Sequence, residues 1–228
     1  MTSNTEPLQR TLITTVHLLE RYGVIDFNGH ASVKLDDGRV MINSADSIRC
    51  ALTPNDLVVV NADGSVDASQ PRPPNELALH LAVYQARPDV KAVVHGHPEW
   101  STLLTSAGQP YQVVFPQGAV PGDVPVFDSP RSISNAETAN AVAALLGNGK
   151  AALMKAHGCV TVAEDLLEAA VLAIYLEMNA ERQVRCAPLG GAYVFTDAEV
   201  EGSRKGLSKR ALYEKCWGFF KAKYKLPR

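Results

Sequence analysis

The chain has 228 residues, 46% hydrophobic and 20% charged, which provides apolar material for a sizeable core and carries no bias toward disorder. Its 22 lysines and arginines stand against 24 aspartates and glutamates, so the basic surface that nucleic acid requires is excluded. No apolar run approaches the ~20 residues needed to cross a bilayer, and residues 1–10 lack the apolar stretch of a signal peptide; one domain over residues 1–228, acting in the cytoplasm, is expected.

Leu8, Leu12, Ile13, Val16 and Leu19 recur at helical spacing and Gly23 follows as a left-handed stop, which predicts an opening amphipathic helix. Residues 31–35 and 39–43 flank Asp36-Asp37-Gly38 and predict a hairpin, since Asp-Gly takes the positive φ of a tight turn. Residues 57–60 form a third strand behind the turn residues Thr53-Pro54-Asn55-Asp56. A helix is predicted over residues 74–87, with Leu77, Leu81 and Tyr84 on one face, then a strand over residues 90–95. Residues 109–130, rich in proline and glycine, read as a site-forming loop. Ser134 and Glu137 match a capping box that opens a helix to about residue 146, with Gly147-Asn148-Gly149 as its stop. A strand at residues 151–155, a long apolar helix at 164–185 with Met178 in the core, and a last helix capped by Thr196 and Glu199 complete the pattern. Trp217, Phe219 and Phe220 are expected to pack on a neighbouring surface, and residues 221–228 to be a solvated terminus. The four cysteines are widely spaced without a C-x-x-C pair, so they are expected to be reduced and mostly buried.

The chemistry concentrates in a few segments. In an extended strand alternate side chains share a face, so His95 and His97 project the same way and can offer two imidazole nitrogens to one ion. His157 ends the next apolar strand, and Gly96 and Gly158, each beside a histidine, permit close backbone approach. Glu76 lies at the start of the second helix with Asn75 as its cap. As a plain helix feature it would favour the dipole, and His80 would form an exposed i,i+4 pair with it. Asn28, Gly29, His30 and Ser32 sit together at a loop-to-strand junction and can line a polar pocket.

The joint order of Gly29-x-x-Ser32, Glu76, His95-Gly96-His97 after E-L-A-L-H-L-A-V-Y-Q-A-R-P-D-V-K-A-V-V, and Ala156-His157-Gly158 before a long helix resembles the class II aldolase and adducin family across residues 8–220. That resemblance implies a three-layer α/β/α sandwich around a mostly antiparallel sheet. It implies one divalent ion per chain (manganese, zinc or iron) on His95, His97 and His157, with Glu76 as an acid/base that touches the metal when no substrate is bound. It also implies a homotetramer with active sites at subunit interfaces.

Sugar-phosphate aldolases of the family hold phosphate with Gly-Asn-x-Ser, Ser-Gly and Ser-Ser-Glu segments. Here those places read Gly29-His30-Ala31-Ser32, Asn43-Ser44-Ala45 and Pro74-Asn75-Glu76, which removes hydroxyl and backbone donors for a dianion. The form found here resembles the branch that decarboxylates hydroxylated aromatic acids, such as dihydroxyphthalates and hydroxypyridine dicarboxylates. A small aromatic acid is then the expected substrate, with Glu76 or His30 as proton donor and Ser32, Ser44 and Arg49 as substrate-binding residues. The alternatives are a sugar-phosphate aldolase or epimerase, a non-haem iron oxygenase, and a non-catalytic adducin-like interaction domain.

Overall fold

The computed structural model describes residues 5–227 and builds one sheet from β1 (His30–Lys34), β2 (Val40–Asn43), β3 (Leu57–Val60), β4 (Ala92–Gly96), β5 (Val126–Phe127), β6 (Ala151–Met154) and β7 (Gly158–Ala163). The strand order is β3-β2-β1-β4-β7-β6-β5, and every pairing is antiparallel except that of β5 with β6. Seven α-helices accompany it among the described residues: α1 (Glu6–Tyr22), α2 (Leu77–Ala86), α3 (Glu99–Ser106), α4 (Ala136–Leu146), α5 (Leu166–Cys186), α6 (Asp197–Leu207) and α7 (Arg210–Lys223).

Strand alternation divides the core into two layers. Ala31, Val33, Met41, Ala92 and Val94 face one side, where they meet Leu12, Val16 and Leu19 of α1, the buried face of α5, and Tyr213 and Phe220 of α7. Val40, Ile42, Val58, Val93, Val160 and Val162 face the other side, against Leu79 and Val83 of α2 and Val142 of α4. A sheet covered on both faces by helices is the expected α/β/α sandwich. Fully buried leucines such as Leu12, Leu19, Leu79 and Leu172 contribute about 1.5–3 kcal/mol each to holding the layers.

Several boundaries depart from expectation. Gly23 ends α1 in the left-handed region at φ 93°, as predicted. Helix α2 begins only at Leu77, so Glu76 occupies its N-cap position and makes no capping bond. The cap of α4 is Asn135, whose side chain accepts from the Thr138 amide, and not the Ser134/Glu137 pair. The Thr196/Glu199 capping box is present, but it opens α6 and not the last helix, because α7 follows.

Four helices and strands lay outside the sequence-based expectation. Helix α3 follows Pro98, strand β7 follows His157, the two-residue β5 lies inside the predicted loop, and α7 follows α6. Of the four free cysteines only Cys159 is buried, while Cys50 is exposed, so burial is less general than expected. Met178 and Trp217 are partly buried against the core, Phe220 is buried and Phe219 is exposed. The predicted solvated terminus begins inside α7 and includes the buried Leu226; its final residue, Arg228, lies outside the described residues, as do residues 1–4 of the expected N-terminal segment.

Candidate metal centre

Five of the six histidines gather at one end of the sheet, on the α2 side. β1 and β4 pair with His30 directly opposite His95, so their imidazoles share a face, with ring centroids 4.9 Å apart. His97 lies just beyond β4, and His157 sits in the turn between β6 and β7. The two glycines are required by close approach. A Cβ at Gly96 would lie 2.2 Å from the Val24 carbonyl oxygen, and one at Gly158 would lie 2.2 Å from that of Gly96. The Gly158 contact draws the β6–β7 turn against β4. Ala156, immediately before His157, holds a left-handed φ of 50°, a conformation that costs a non-glycine residue about 1–2 kcal/mol.

Glu76, His95, His97 and His157 each present one ligand atom, all within 4.8 Å of one another. Proton positions follow from the second nitrogens. Nδ1 of His95 lies 2.9 Å from the Cys159 carbonyl oxygen, which can only accept, so that nitrogen carries the proton and Nε2 is bare. Nδ1 of His97 donates to Asp26 Oδ1 at 3.0 Å, which again leaves Nε2 bare. Burial pushes the Asp26 carboxyl up, but the His97 hydrogen bond and the amides of Asn28 and Gly29 outweigh it and hold its pKa at about 2.

The two bare Nε2 atoms stand 3.2 Å apart, and Glu76 Oε2 is 3.1 Å from that of His95. Glu76 Oε1 is 3.5 Å from His157 Nε2. Converging electron pairs with no proton between them repel unless a cation joins them. Ligand bonds of about 2.0–2.1 Å would separate neighbouring ligand atoms by about 2.8–3.4 Å in octahedral or tetrahedral geometry, close to these contacts. The donor set therefore fits a divalent ion. Burial and then the neighbouring His95 hold His157 at about 4, so it is neutral at pH 7, as a ligand must be.

Burial disfavours the Glu76 carboxylate, yet hydrogen bonds from the His30 imidazole and the Ile133 amide hold its pKa far below the usual range. Its Oε1 accepts from Ser132 Oγ at 3.0 Å and from the Ile133 amide at 2.8 Å. Asn75, expected as a helix cap, instead accepts from Arg72 through Oδ1. A cavity of about 290 Å³ opens over the cluster; its wall includes Asn28, His30, Arg49, Arg72, Glu76 and His157.

The expected substrate-binding residues divide. Arg49 lines the cavity although only 4% of it is exposed; its Nε donates to Gly29 O and its Nη1 to Ser44 O and Ser47 Oγ. Nη2 makes one 3.3 Å bond, to Asn28 O, so an N–H remains available. Ser32 and Ser44 are buried and absent from the cavity wall, because Ser32 Oγ bonds His80 and Tyr84, while the Ser44 backbone is tied to Arg49, Ser47 and Asp56. His80 is fully buried and bonds His30, not the exposed partner of Glu76 that spacing suggested.

Sequence reasoning missed Asp26, Ser132 and the Ile133 amide. Asp26 carried a usable signal, because Asp-x-Asn-Gly is an Asx-turn pattern beside the Gly29 junction. Nothing local marks Ser132 or Ile133, which reach Glu76 from 56 and 57 residues away.

Comparison with known proteins agrees with this geometry. The model of the class II aldolase and adducin N-terminal domain matches residues 10–184. A 5-methylthioribulose-1-phosphate/5-deoxyribulose-1-phosphate aldolase of Rhodospirillum rubrum is 29% identical over 174 residues, 76% of this chain and 78% of that protein. A 3,4-dihydroxyphthalate decarboxylase of Terrabacter sp. is 28% identical over 186 residues, with the same shares covered. An L-fuculose 1-phosphate aldolase from Glaciozyma antarctica superposes with a TM-score of 0.84 at 20% identity, covering 99% of this chain and 94% of that one, which speaks for the fold. With the family's domain matched across most of its length, a Glu/His cluster that can hold its divalent metal and lyases for relatives, the chain is a lyase of the class II aldolase and adducin family.

Proposed function

We propose that the chain decarboxylates a single-ring aromatic acid bearing a hydroxyl ortho to the leaving carboxylate and a second carboxylate, such as a dihydroxyphthalate or hydroxypyridine dicarboxylate. The observation that carries this reading is the composition of the cavity wall. Ser32, whose hydroxyl a phosphate pattern would use, is turned into the protein and Ser44 is absent from the wall, while His30, Arg49 and Glu76 face the space. At about 290 Å³ the cavity lies near the lower bound of ~300–1,000 Å³ typical of ligand pockets, which suits one ring. Similarity to the dihydroxyphthalate decarboxylase supports the same class.

In this reading Arg49, with its available N–H, and Arg72 orient the second carboxylate. A divalent ion on His95, His97 and His157, one per chain and of zinc, iron or manganese type, supplies when bound a Lewis-acid sink for the electrons of the breaking bond. Glu76, ionised at rest, takes the proton of the substrate's ortho hydroxyl and passes it to the carboxyl-bearing ring carbon, while His30, whose Nε2 lies 3.6 Å from Glu76 Oε2, donates a hydrogen bond beside it. The electrons of the carbon–carbon bond then return to the ring as carbon dioxide leaves, and water restores the proton to the hydroxyl oxygen. Glu76 Oε1 stays fixed by Ser132 and Ile133 throughout.

Arg49 and Arg72 in one wall also favour a second reading, a sugar-phosphate substrate, as for the Rhodospirillum rubrum relative. A panel of hydroxylated aromatic dicarboxylates and sugar phosphates, assayed with manganese, zinc and iron in turn, separates the two. The proposal expects carbon dioxide release and, in heavy water, one deuterium at the vacated carbon. Cleavage of a sugar phosphate with no aromatic decarboxylation overturns it. We further propose a homotetramer whose interfaces adjoin the cavity, because Phe27 and Ile48, neighbours of the wall residues Asn28 and Arg49, are 78% and 67% exposed. We place the activity in the cytoplasm, in keeping with four unpaired cysteines; no helix among the described residues is long and apolar enough to span a membrane.

A further inference from the structure

Behind the cavity a continuous chain of buried polar side chains runs from His30 into the α2 side of the core. His30 Nδ1 meets His80 Nε2 at 2.7 Å, His80 Nδ1 meets Ser32 Oγ at 2.6 Å, and Ser32 Oγ meets Tyr84 OH at 2.8 Å. Tyr84 OH then lies 3.4 Å from the Lys91 carbonyl oxygen. The chain follows from matched repeats. Glu76 at the N-cap of α2 and His80 and Tyr84 within it recur every four residues, about 6.0 Å apart by helical rise, and His30 and Ser32 every two along β1, about 6.6 Å apart. The strand residues therefore drop alternately between the helix residues.

Each of the four side chains, with its imidazole neutral, brings one mobile proton. His30 and His80 are 1% and 0% exposed, and burial disfavours the charged form of an imidazole, so both rings are held neutral. Only two arrangements then place one proton in every short contact. In the first, Tyr84 donates to Ser32, Ser32 to His80 Nδ1, and His80 Nε2–H to His30 Nδ1, which leaves the His30 proton on Nε2. In the second every donor reverses, Tyr84 donates to Lys91 O, and His30 Nε2 is bare. Mixed arrangements leave a 2.6–2.8 Å contact with two protons or none.

The ends decide between them. The second arrangement gains only a 3.4 Å bond at Lys91 and points a bare nitrogen at the Glu76 carboxylate. The first gives up that weak bond and directs an N–H toward the carboxylate and the cavity that His30 lines. We propose that His80, Ser32 and Tyr84 are positioning residues that lock His30 as its Nε2–H tautomer, a fixed hydrogen-bond donor to an anionic oxygen of the substrate. The donor role rests on the decarboxylase reading; the tautomer does not. Fold alone does not call for this chain, since replacing both partners of a buried hydrogen bond by apolar groups of the same shape is often close to neutral.

Nitrogen-15 NMR of histidine-labelled, zinc-loaded protein tests the lock, with the His30 signals assigned by their loss in His30→Gln. The expected result is a protonated Nε2 and a bare Nδ1. In Ser32→Ala and His80→Leu the His30 signals should move toward a mixture of tautomers, with kcat down about 10- to 100-fold and zinc content unchanged. Tyr84→Phe, nearly isosteric, should shift the signals in the same direction by less. A protonated Nδ1 in the wild type overturns the proposal. So does a tautomer that stays fixed in whichever variants fold. Because the NMR needs no turnover, it identifies the tautomer even if the substrate proves to be a sugar phosphate. In that case the kinetic comparison is run on that substrate.

Discussion

Asp26 lies outside the ligand set yet should control metal affinity. Its Oδ1 accepts the His97 Nδ1 proton at 3.0 Å and the amides of Asn28 and Gly29 at 2.8 and 3.0 Å, so one carboxylate fixes both the imidazole and the turn beneath it. In Asp26→Ala the His97 proton loses its acceptor, and the ring is free to carry it on Nε2, where it removes the lone pair that faces the ion. Loss of such an outer partner typically weakens metal binding about 10- to 100-fold, or about 1.4–2.7 kcal/mol. Asp26→Asn keeps an oxygen acceptor and loses the charge; since charge-assisted bonds are roughly twice as strong as neutral ones, about half that energy should be lost, or about 3- to 10-fold. Competition with a chromophoric chelator for zinc measures both, with His157→Ala as the variant expected to lose the ion altogether. Wild-type affinity in Asp26→Ala, or equal losses in the Ala and Asn variants, would refute the reasoning.

The same carboxylate predicts a pH signature. Its folded pKa, about 2, is below the ordinary 3.8, so its stabilisation is present above pH 3.8 and is lost as the pH falls toward 2. Glu76 is depressed in the same direction, so the informative quantity is the stability difference between wild type and Asp26→Ala, which should shrink across that interval. A difference that is constant from pH 5 to pH 2 would show that Asp26 acts through packing alone.

Glu177 on α5 is buried and accepts the Trp100 and Ser101 amides at 2.6 and 3.0 Å, tying down the N-terminus of α3 just after His97; Glu177→Leu leaves both amides without an acceptor and should cost about 3 kcal/mol and lower Tm by about 6–12 °C. An unchanged Tm in a thermal scan would contradict that account. Gly158→Ala would set a Cβ 2.2 Å from the Gly96 oxygen and 3.0 Å from the His97 ring, so it should cost about 1–3 kcal/mol and weaken zinc binding together; retention of both properties would show that β4 and β7 separate freely. Light scattering should give about 98 kDa, four times 24.5 kDa, and a monomer mass at micromolar concentration would remove the interface proposal.

The parts of this molecule legible in its sequence are those whose signal is a period. Alternation in Val93-Val94-His95-Gly96-His97 predicted that His95 and His97 share a face, and their Nε2 atoms do meet. Helical spacing from Leu8 to Leu19, with Gly23 behind it, located α1 closely. Local reading failed where two periods must be laid against each other. His80 looked like an exposed i,i+4 partner of Glu76 because the helix was considered alone. Once β1 lies beneath α2, the same spacing buries His80 between His30 and Ser32. Ser32 was assigned to substrate for the same reason.

Contacts without any period are a harder case. Ser132 and the Ile133 amide hold Glu76 from the loop Ser129-Pro130-Arg131-Ser132-Ile133-Ser134-Asn135, which carries neither a helical nor a strand period and leads into α4, a helix packed against α2. The distinction has a chemical consequence. Ligands on strands and strand ends inherit their geometry from the sheet, whereas Glu76, at the unwound entrance to α2, inherits its position from loop contacts. A loop contact can be altered without disturbing the sheet. The three histidines therefore take their placement from the sheet, and the Glu76 carboxylate is the part of the cluster whose placement can change at least cost to the fold.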